Sequence, residues 1–157
     1  MTRKGPDDFD RVPLLEKELT GKIIGAFFDT YNILGFGFLE SVYRRALAIE
    51  LRLRGLHVQE EVPIQVFYKG FNVGWFRLDL LVEGRVALEI KASFAIAPAD
   101  KDQTLNYLTS TTLDVGLLLH FGPSAKLSLR VATGTCVSAA PLWVFITEKR
   151  LLRIGRI

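Results

Sequence analysis

The chain has 157 residues, of which 49% are apolar and 24% charged, a composition that fits a single globular domain and excludes a disordered chain. Its one cysteine, Cys136, excludes a disulfide framework and a cysteine-based zinc cluster. The two histidines, His57 and His120, argue against a histidine-rich metal site, so any metal site must be rich in oxygen ligands, which favours Mg²⁺ or Mn²⁺. The net charge of +3 is compatible with a polyanionic partner.

The N-terminus, the apolar runs and the cysteine content bear on location. Residues 1–6 lead into acidic residues and not into an apolar segment, so we expect no secretory signal. No apolar run approaches the ~18 residues that a transmembrane helix needs, and we therefore expect no membrane partner. A single cysteine fits a reducing compartment, and we expect the protein in the cytoplasm.

The first third of the chain predicts an arm and two helices. Residues 1–13 are polar, contain two prolines and predict a flexible N-terminal arm. Residues 14–34 show apolar side chains at i+4 spacing, which predicts a helix. Gly35-Phe36-Gly37 interrupts the pattern, and a second helix is predicted over residues 39–54, closed by Gly55. The residues expected to be buried are Leu19, Ile23, Phe27 and Tyr31 on the first helix and Leu39, Val42, Tyr43, Ala46, Leu47 and Leu53 on the second.

From His57 onward the apolar residues alternate with polar ones, which predicts β-strands. Pro63 predicts an edge position or a bulge in the first strand, because proline cannot donate to the ladder. Lys69-Gly70 forms a turn, and the next strand passes through Trp75 and Phe76. The remaining predicted elements are a hairpin over 77–91, a loop over 92–98, a helix over 99–110, a buried strand over 113–120 and a strand over 127–131.

The order of these elements predicts an α/β sandwich around a mixed sheet, and we place this domain at residues 14–131. Residues 132–157 form an atypical, basic C-terminal tail. The tail could form a strand over 142–147, and it ends in a basic amphipathic run over 148–156. This run predicts either a surface helix or frayed end, or an arm that binds nucleic acid.

The predicted hairpin over 77–91 contains the main candidate catalytic and metal-binding residues. With Gly84 at its centre, Asp79 faces Glu89, and side chains facing each other in this way lie about 4.5–5.5 Å apart at Cβ. Like charges at this distance repel, and a divalent cation, which prefers carboxylate oxygens, would remove the repulsion. Lys91 lies on the same face as Glu89 and could hold a water or a developing anion. Alternatively, these side chains form the solvated face of an ordinary hairpin, with Lys91 paired to Glu89.

Three residues on predicted helices each have two interpretations. Glu40 either favours a helix N-terminus or is a third acid aimed at the cation. Gln103 and Tyr107 share one face of the third predicted helix, where Gln103 could bond a metal-bound water or a phosphate and Tyr107 could bond a phosphate or stack. They could equally form a half-buried helix face. Tyr43, one turn after Glu40, could be a core residue.

Residues 35–43, Gly-Phe-Gly-Phe-Leu-Glu-Ser-Val-Tyr, resemble the G-x-G-x-x-E-x-x-Y signature of the GxxExxY protein family, which belongs to the PD-(D/E)XK nuclease superfamily. The resemblance covers about residues 16–130. It continues in the same order through residues 50–55, 62–64, 68–70, 77–82, 89–92, 103–108 and 116–119.

This resemblance implies a restriction-endonuclease-like fold, an oxygen-rich metal site, a catalytic lysine and an accessory motif typical of the exonuclease-like branch. The residues in these roles would be Asp79, Glu89, the Ile90 carbonyl and Glu40 for the metal, Lys91 as the catalytic lysine, and Gln103 with Tyr107 as the accessory motif.

The chain departs from the family at three positions. Tyr31 and Asp100 stand where family histidines are expected, and Phe36 stands where the family commonly has a proline. If those histidines bind metal or shuttle protons in relatives, this chain differs in metal preference or is less active.

These observations favour a Mg²⁺- or Mn²⁺-dependent nuclease that hydrolyses nucleic-acid phosphodiesters, with DNA as the favoured substrate and a homodimer allowed for. One alternative is a module of the same fold that binds nucleic acid without cutting it. A second alternative is a structural or interaction protein in which the acidic face is solvated.

Overall fold

The computed structural model describes residues 14–100, 111, 113, 115–131 and 144–146. The expected N-terminal arm, most of the third predicted helix and most of the C-terminal tail lie outside these residues, as do Gln103 and Tyr107. The elements are α1 (Leu14–Leu34), α2 (Glu40–Leu53), β1 (Val58–Tyr68), β2 (Phe71–Val82), β3 (Val86–Lys91), β4 (Val115–Phe121), β5 (Ala125–Val131) and β6 (Val144–Ile146).

The six strands form one sheet in the order β1-β2-β3-β4-β5-β6. Strands β3 and β4 run parallel, and every other neighbouring pair is antiparallel. A parallel pair needs a long crossover, and the segment between Lys91 and Val115 supplies it. The predicted α/β architecture with a mixed sheet flanked by helices is therefore confirmed.

Helices α1 and α2 bury one side each against the same face of the sheet, and this interface is the main hydrophobic core. The ring of Tyr43 stacks on Phe121 with centroids 4.2 Å apart, and Phe27 meets Phe121 edge-on at 4.9 Å. These contacts tie both helices to β4. The core also contains Leu19, Ile23, Leu47, Leu51, Leu80, Val82, Val86, Leu88, Ile90, Val115, Leu117 and Leu119.

The predicted buried stripe of α2 is partly wrong. Leu39 and Leu53 are 76% and 78% exposed, and Val42 is also exposed. Leu39 caps the helix in an extended conformation, so its side chain does not continue the stripe. The side of α2 that faces the sheet is formed by its buried residues, Tyr43, Leu47, Ala48 and Leu51. Val42 and Leu53 project from the helix in other directions and are therefore exposed.

The central hairpin has the predicted register near its turn. Val82 pairs with Val86, and Leu80 pairs with Leu88. The turn uses positive φ angles at Glu83 and Gly84, which suits a tight connection between antiparallel strands.

Strand β1 lies at the edge of the sheet, as Pro63 predicts. Pro63 itself pairs with Arg77, and the irregularities fall on either side of it. Glu61 has a φ of 52°, and the register shifts between Val66 and Phe67.

Neither α1 nor α2, the helices in the described part of the chain, is long and apolar enough to cross a membrane.

Candidate active site

Asp79, Glu89 and Lys91 come together where β2 and β3 separate from each other. Glu89 is 4% exposed, and its Oε1 lies 3.4 Å from Nζ of Lys91. Asp79 accepts a hydrogen bond from the backbone N–H of Ile90 at 2.8 Å. The acid pair and the lysine are thus drawn from neighbouring strands into one partly buried cluster.

Burial, and after it the charge of Asp79, raise the pKa of Glu89 to about 8 against the opposing effect of Lys91. The second carboxylate oxygen, Oε2, is buried and has no hydrogen-bond partner among the residues that the structure describes. Because Glu89 is buried, the solvated-hairpin interpretation is wrong for this side chain, although its pairing with Lys91 was expected.

Burial also raises the pKa of Asp79, while the hydrogen bond from Ile90 and the charges of Lys91 and Arg44 oppose that shift. Arg44 was not among the site residues predicted from the sequence. It lies one turn after Glu40 on α2, with Nη1 3.2 Å from Oε1 of Glu61. Its i+4 spacing from Glu40 would have been the only indication in the sequence.

Glu40 lies in the first turn of α2 on the solvent side of the cluster. Partial burial raises its pKa, Lys91 lowers it, and Asp79 raises it. A hydrogen bond from the backbone of Ala92 also lowers it. Glu40 therefore lies close enough to Asp79 and Lys91 for their charges to act on its pKa, and its role as a third acid stays a prediction.

Tyr43 holds the loop that contains Gly35 and Gly37 and that leads into Glu40. Its hydroxyl donates to the carbonyl of Gly35 at 2.5 Å and accepts from the backbone N–H of Phe38 at 3.2 Å. Gly35 and Gly37 have φ angles of 71° and 118°, which a residue with a Cβ adopts only with strain. The glycines let the loop turn, and the buried tyrosine holds it just before the helix that begins at Glu40.

Asp100 contacts Lys91 from the start of the third predicted helix. Its Oδ1 lies 3.8 Å from Nζ of Lys91, and its Oδ2 accepts from the backbone N–H of Ala97 at 3.0 Å. The backbone N–H of Asp100 returns a bond to the Ala97 carbonyl, with Pro98 as the first helical residue. Asp100 therefore fixes this helix start beside the lysine, a role that the sequence analysis missed.

Tyr31 stands at the second position where a family histidine was expected. Its hydroxyl donates to the carbonyl of Gly122 at 2.7 Å, which ties α1 to the β4–β5 turn. His120, which pairs in register with Lys91, is buried, and burial lowers its pKa. Its Nε2 lies 2.7 Å from the carbonyl oxygen of Ser93, so it supports the loop after Lys91. This role of His120 was not predicted from the sequence.

The described residues contain no group of three or more His, Cys, Asp or Glu side chains already arranged around a metal position. The donor set nevertheless suits a hard cation, because Glu89 has an orphaned buried oxygen and Asp79 lies close enough to raise its pKa. Lys91 lies against Glu89 in the position where it partly offsets the negative charge.

Comparison with known proteins identifies the family to which the chain belongs. A model of the PD-(D/E)XK nuclease superfamily matches residues 17–131. The chain belongs to the PD-(D/E)XK nuclease superfamily. No curated protein and no solved structure matches the chain. Membership of this superfamily suggests a nuclease that acts on nucleic acid, and members typically use divalent metals such as Mg²⁺. The narrower GxxExxY assignment stays a prediction, as does the division at residues 14 and 131.

Proposed function

We propose that this PD-(D/E)XK protein is a divalent-metal-dependent nuclease that hydrolyses phosphodiester bonds of DNA, with Mg²⁺ or Mn²⁺ as its cofactor. One observation carries the proposal. The buried Oε2 of Glu89 has no partner among the described residues, in a carboxylate whose pKa is raised to about 8 by burial and by Asp79. A buried acid of this kind costs stability unless a cation or a proton compensates it.

The metal would be held by Asp79, by Glu89 and by the backbone carbonyl of Ile90, with Glu40 on the solvent side. A divalent cation bound there supplies Lewis-acid chemistry, because it polarises a phosphoryl oxygen and makes water a stronger acid. The hydrogen bond from Ile90 fixes one oxygen of Asp79, and this supports a role for the other oxygen as a metal ligand.

Lys91 would stabilise negative charge on the phosphate or orient the attacking water. It can do so because its ammonium group lies between Glu89 and Asp100, at 3.4 and 3.8 Å. Burial opposes protonation of Lys91, but the charges of Glu89, Glu40 and Asp100 outweigh this and raise its pKa. The lysine therefore stays cationic at neutral pH and acts as a fixed positive charge. Gln103 and Tyr107 would contact the phosphate from the third predicted helix.

The test is cleavage of labelled single- and double-stranded DNA and RNA with Mg²⁺, with Mn²⁺ and with chelator. Glu89→Gln should abolish cleavage while the fold is retained by circular dichroism. Glu18→Gln is a matched control, because Glu18 is an exposed glutamate paired with Lys22 on α1. Equal cleavage by wild type and Glu89→Gln would contradict the proposal. Metal-independent binding without any cleavage would favour the non-cutting module. The cytoplasmic location and the homodimer stay predictions.

A further inference from the structure

The hairpin formed by β1 and β2 exposes large aromatic side chains that the proposed chemistry does not use. Trp75 is 62% exposed and Phe67 is 58% exposed. Aromatic residues of this size are usually buried unless they contact a partner, so their exposure on one hairpin indicates an interaction surface.

The position of these residues relative to the acid pair shows what the surface can do. Side chains alternate between the two faces of a strand, so Trp75, Arg77 and Asp79 lie on the same face of β2. Along β2, Trp75 and Arg77 are exposed, whereas the alternating neighbours Phe76 and Leu78 are more buried. With about 3.3 Å of rise per residue, Arg77 lies about 7 Å and Trp75 about 13 Å from Asp79 along the strand.

The partner strand completes this face. Gln65 pairs with Trp75. Phe67 lies two residues beyond Gln65 on the same side of β1, because the register shift leaves its extra residue, Val73, on β2, and β1 keeps its alternation of exposed and half-buried side chains. Arg77 contacts Glu61 at 3.2 Å, but its side chain is 69% exposed. An exposed ion pair is weak, so Arg77 can exchange Glu61 for a phosphate group. The face therefore presents, in order from the acid pair, a cation and then two aromatic rings.

We propose that this face, defined by Phe67, Trp75 and Arg77, binds single-stranded nucleic acid and delivers it to the acid pair. The proposal rests on the proposed nuclease function. Aromatic rings stack on unpaired bases whatever their sequence, and a neighbouring cation follows the phosphate backbone. In a duplex the bases are stacked on one another and cannot reach the rings, so the surface selects unpaired strands.

A second copy of the chain is a poorer occupant of this edge. Strand addition needs a regular row of backbone donors and acceptors along β1. Pro63 lacks a backbone donor, and Glu61 has a φ of 52°. Because both residues interrupt the row of backbone groups along β1, recognition by side chains is favoured over addition of a strand.

The first test measures binding of a labelled oligo(dT) and of a duplex of equal length to the full-length protein in chelator, where cleavage cannot interfere. Trp75→Ala and Phe67→Ala should each weaken oligo(dT) binding by about 5- to 150-fold, which corresponds to the stacking of one base. Trp75→Phe should retain most of the affinity. Phe71→Ala is the matched control, because Phe71 is 75% exposed but pairs with Tyr68 on the other face of the same hairpin.

The second test detects the contact between Trp75 and the nucleic acid by fluorescence. The chain has two tryptophans, so Trp143→Phe leaves Trp75 as the sole tryptophan, and its fluorescence should be quenched by oligo(dT) in chelator. Affinity loss that is equal in Phe71→Ala and Trp75→Ala, or absent from both, would overturn the inference. So would a wild-type dimer that Trp75→Ala converts to monomer, since the face would then bind a second copy. Failure of the nuclease proposal is distinct, because it would leave quenching intact and cleavage absent.

Discussion

The backbone N–H of Ile90 donates to Oδ2 of Asp79 at 2.8 Å. A carboxylate from β2 thus satisfies a backbone donor of β3 at the point where the candidate active site lies. The same contact fixes one oxygen of Asp79 beside Glu89, so the acid pair is positioned by the hairpin itself.

Two substitutions at Asp79 should separate its charge from its hydrogen bond. Asp79→Asn keeps an oxygen that can accept from Ile90 and removes one charge, so without metal it should be as stable as wild type or slightly more so. Asp79→Ala leaves a partly buried N–H unsatisfied and should lose about 1–3 kcal/mol of unfolding free energy. Urea denaturation of both variants in chelator measures the difference, and equal stability of the two would show that the hydrogen bond contributes nothing.

The stability of the metal-free protein should fall as the pH rises through neutrality. Glu89 has a pKa of about 8 in the folded state and an ordinary value of 4.5, so between these values the folded state holds a proton that the unfolded state has lost. The free energy of unfolding therefore decreases with pH across this window. Each unit of pKa difference is about 1.4 kcal/mol, or roughly 3–5 °C in Tm for a chain of this size.

The control for this pH dependence is Glu89→Gln, which should flatten the curve of Tm against pH in chelator. Asp79 and Glu40 also have raised pKa values and act in the same direction as Glu89. His120 acts in the opposite direction, because its pKa is lowered and its charged form destabilises the fold at low pH. The difference between wild type and Glu89→Gln reports the titration of Glu89 together with its coupling to Asp79 and Glu40, and identical curves would contradict the buried, protonated Glu89.

The sequence predicted the architecture well because its apolar periods change clearly from helical to alternating. The long helical pattern of residues 14–34 and the hairpin centred on Gly84 were both confirmed. The pattern could not predict that Leu39 caps α2 in an extended conformation or that the register shifts between Val66 and Phe67. Such local departures depend on tertiary contacts, which periodicity does not record.

In the candidate site, too, some features were predicted from the sequence and others were not. The spacing in the hairpin placed Asp79, Glu89 and Lys91 on one face, and the structure brings them together. Sequence reasoning missed Arg44 and His120, whose proximity to the site arises from helix packing and from the parallel pairing of β3 with β4. Contacts between elements distant along the chain have no short-range pattern to identify them.

Tyr43→Phe should weaken both stability and cleavage. The substitution removes the hydroxyl that joins the Gly35 carbonyl to the Phe38 N–H, at a cost of about 1–3 kcal/mol for unsatisfied, partly buried groups. The loop before Glu40 then loosens, so kcat should fall even well below Tm. Tyr31→Phe is the matched control, because it removes a comparable hydroxyl-to-carbonyl bond at the β4–β5 turn and leaves the loop before Glu40 intact. It should lower Tm without lowering kcat, and equal effects on kcat would contradict the prediction.

The basic tail should contribute to nucleic-acid affinity through its charges. Truncation after Pro141 is unsuitable as a test, because it would delete β6, which pairs with β5. Replacing the four tail cations with glutamine leaves that strand intact. If they contact phosphates, the slope of log K against log salt should decrease by roughly 0.7–0.9 for each lost contact. An unchanged slope would show that the tail cations do not contact phosphates. The four cations are Lys149, Arg150, Arg153 and Arg156.

Metal should stabilise the folded wild-type protein and should do so through the acid pair. A ligand that binds only the folded state adds RT ln(1 + [L]/Kd), which is about 2.7 kcal/mol at a hundredfold excess over Kd. Wild type should gain this increment with millimolar Mg²⁺ or Mn²⁺, whereas Asp79→Asn and Glu89→Gln should lose most of it.

The stabilisation by metal should also increase as the pH rises from 6 to 8.5, which is not expected for binding to surface carboxylates that are already ionised at pH 6. A carboxylate must lose its proton to bind a cation, and Glu89 with a pKa of about 8 holds that proton at neutral pH. The rise in Tm on adding Mg²⁺ should therefore be larger at pH 8.5 than at pH 6. Glu18→Gln should show the same increments as wild type, because Glu18 is an exposed residue of α1. Melts that shift equally in wild type and Glu89→Gln, or that do not shift in either, would show that the acid pair holds no metal.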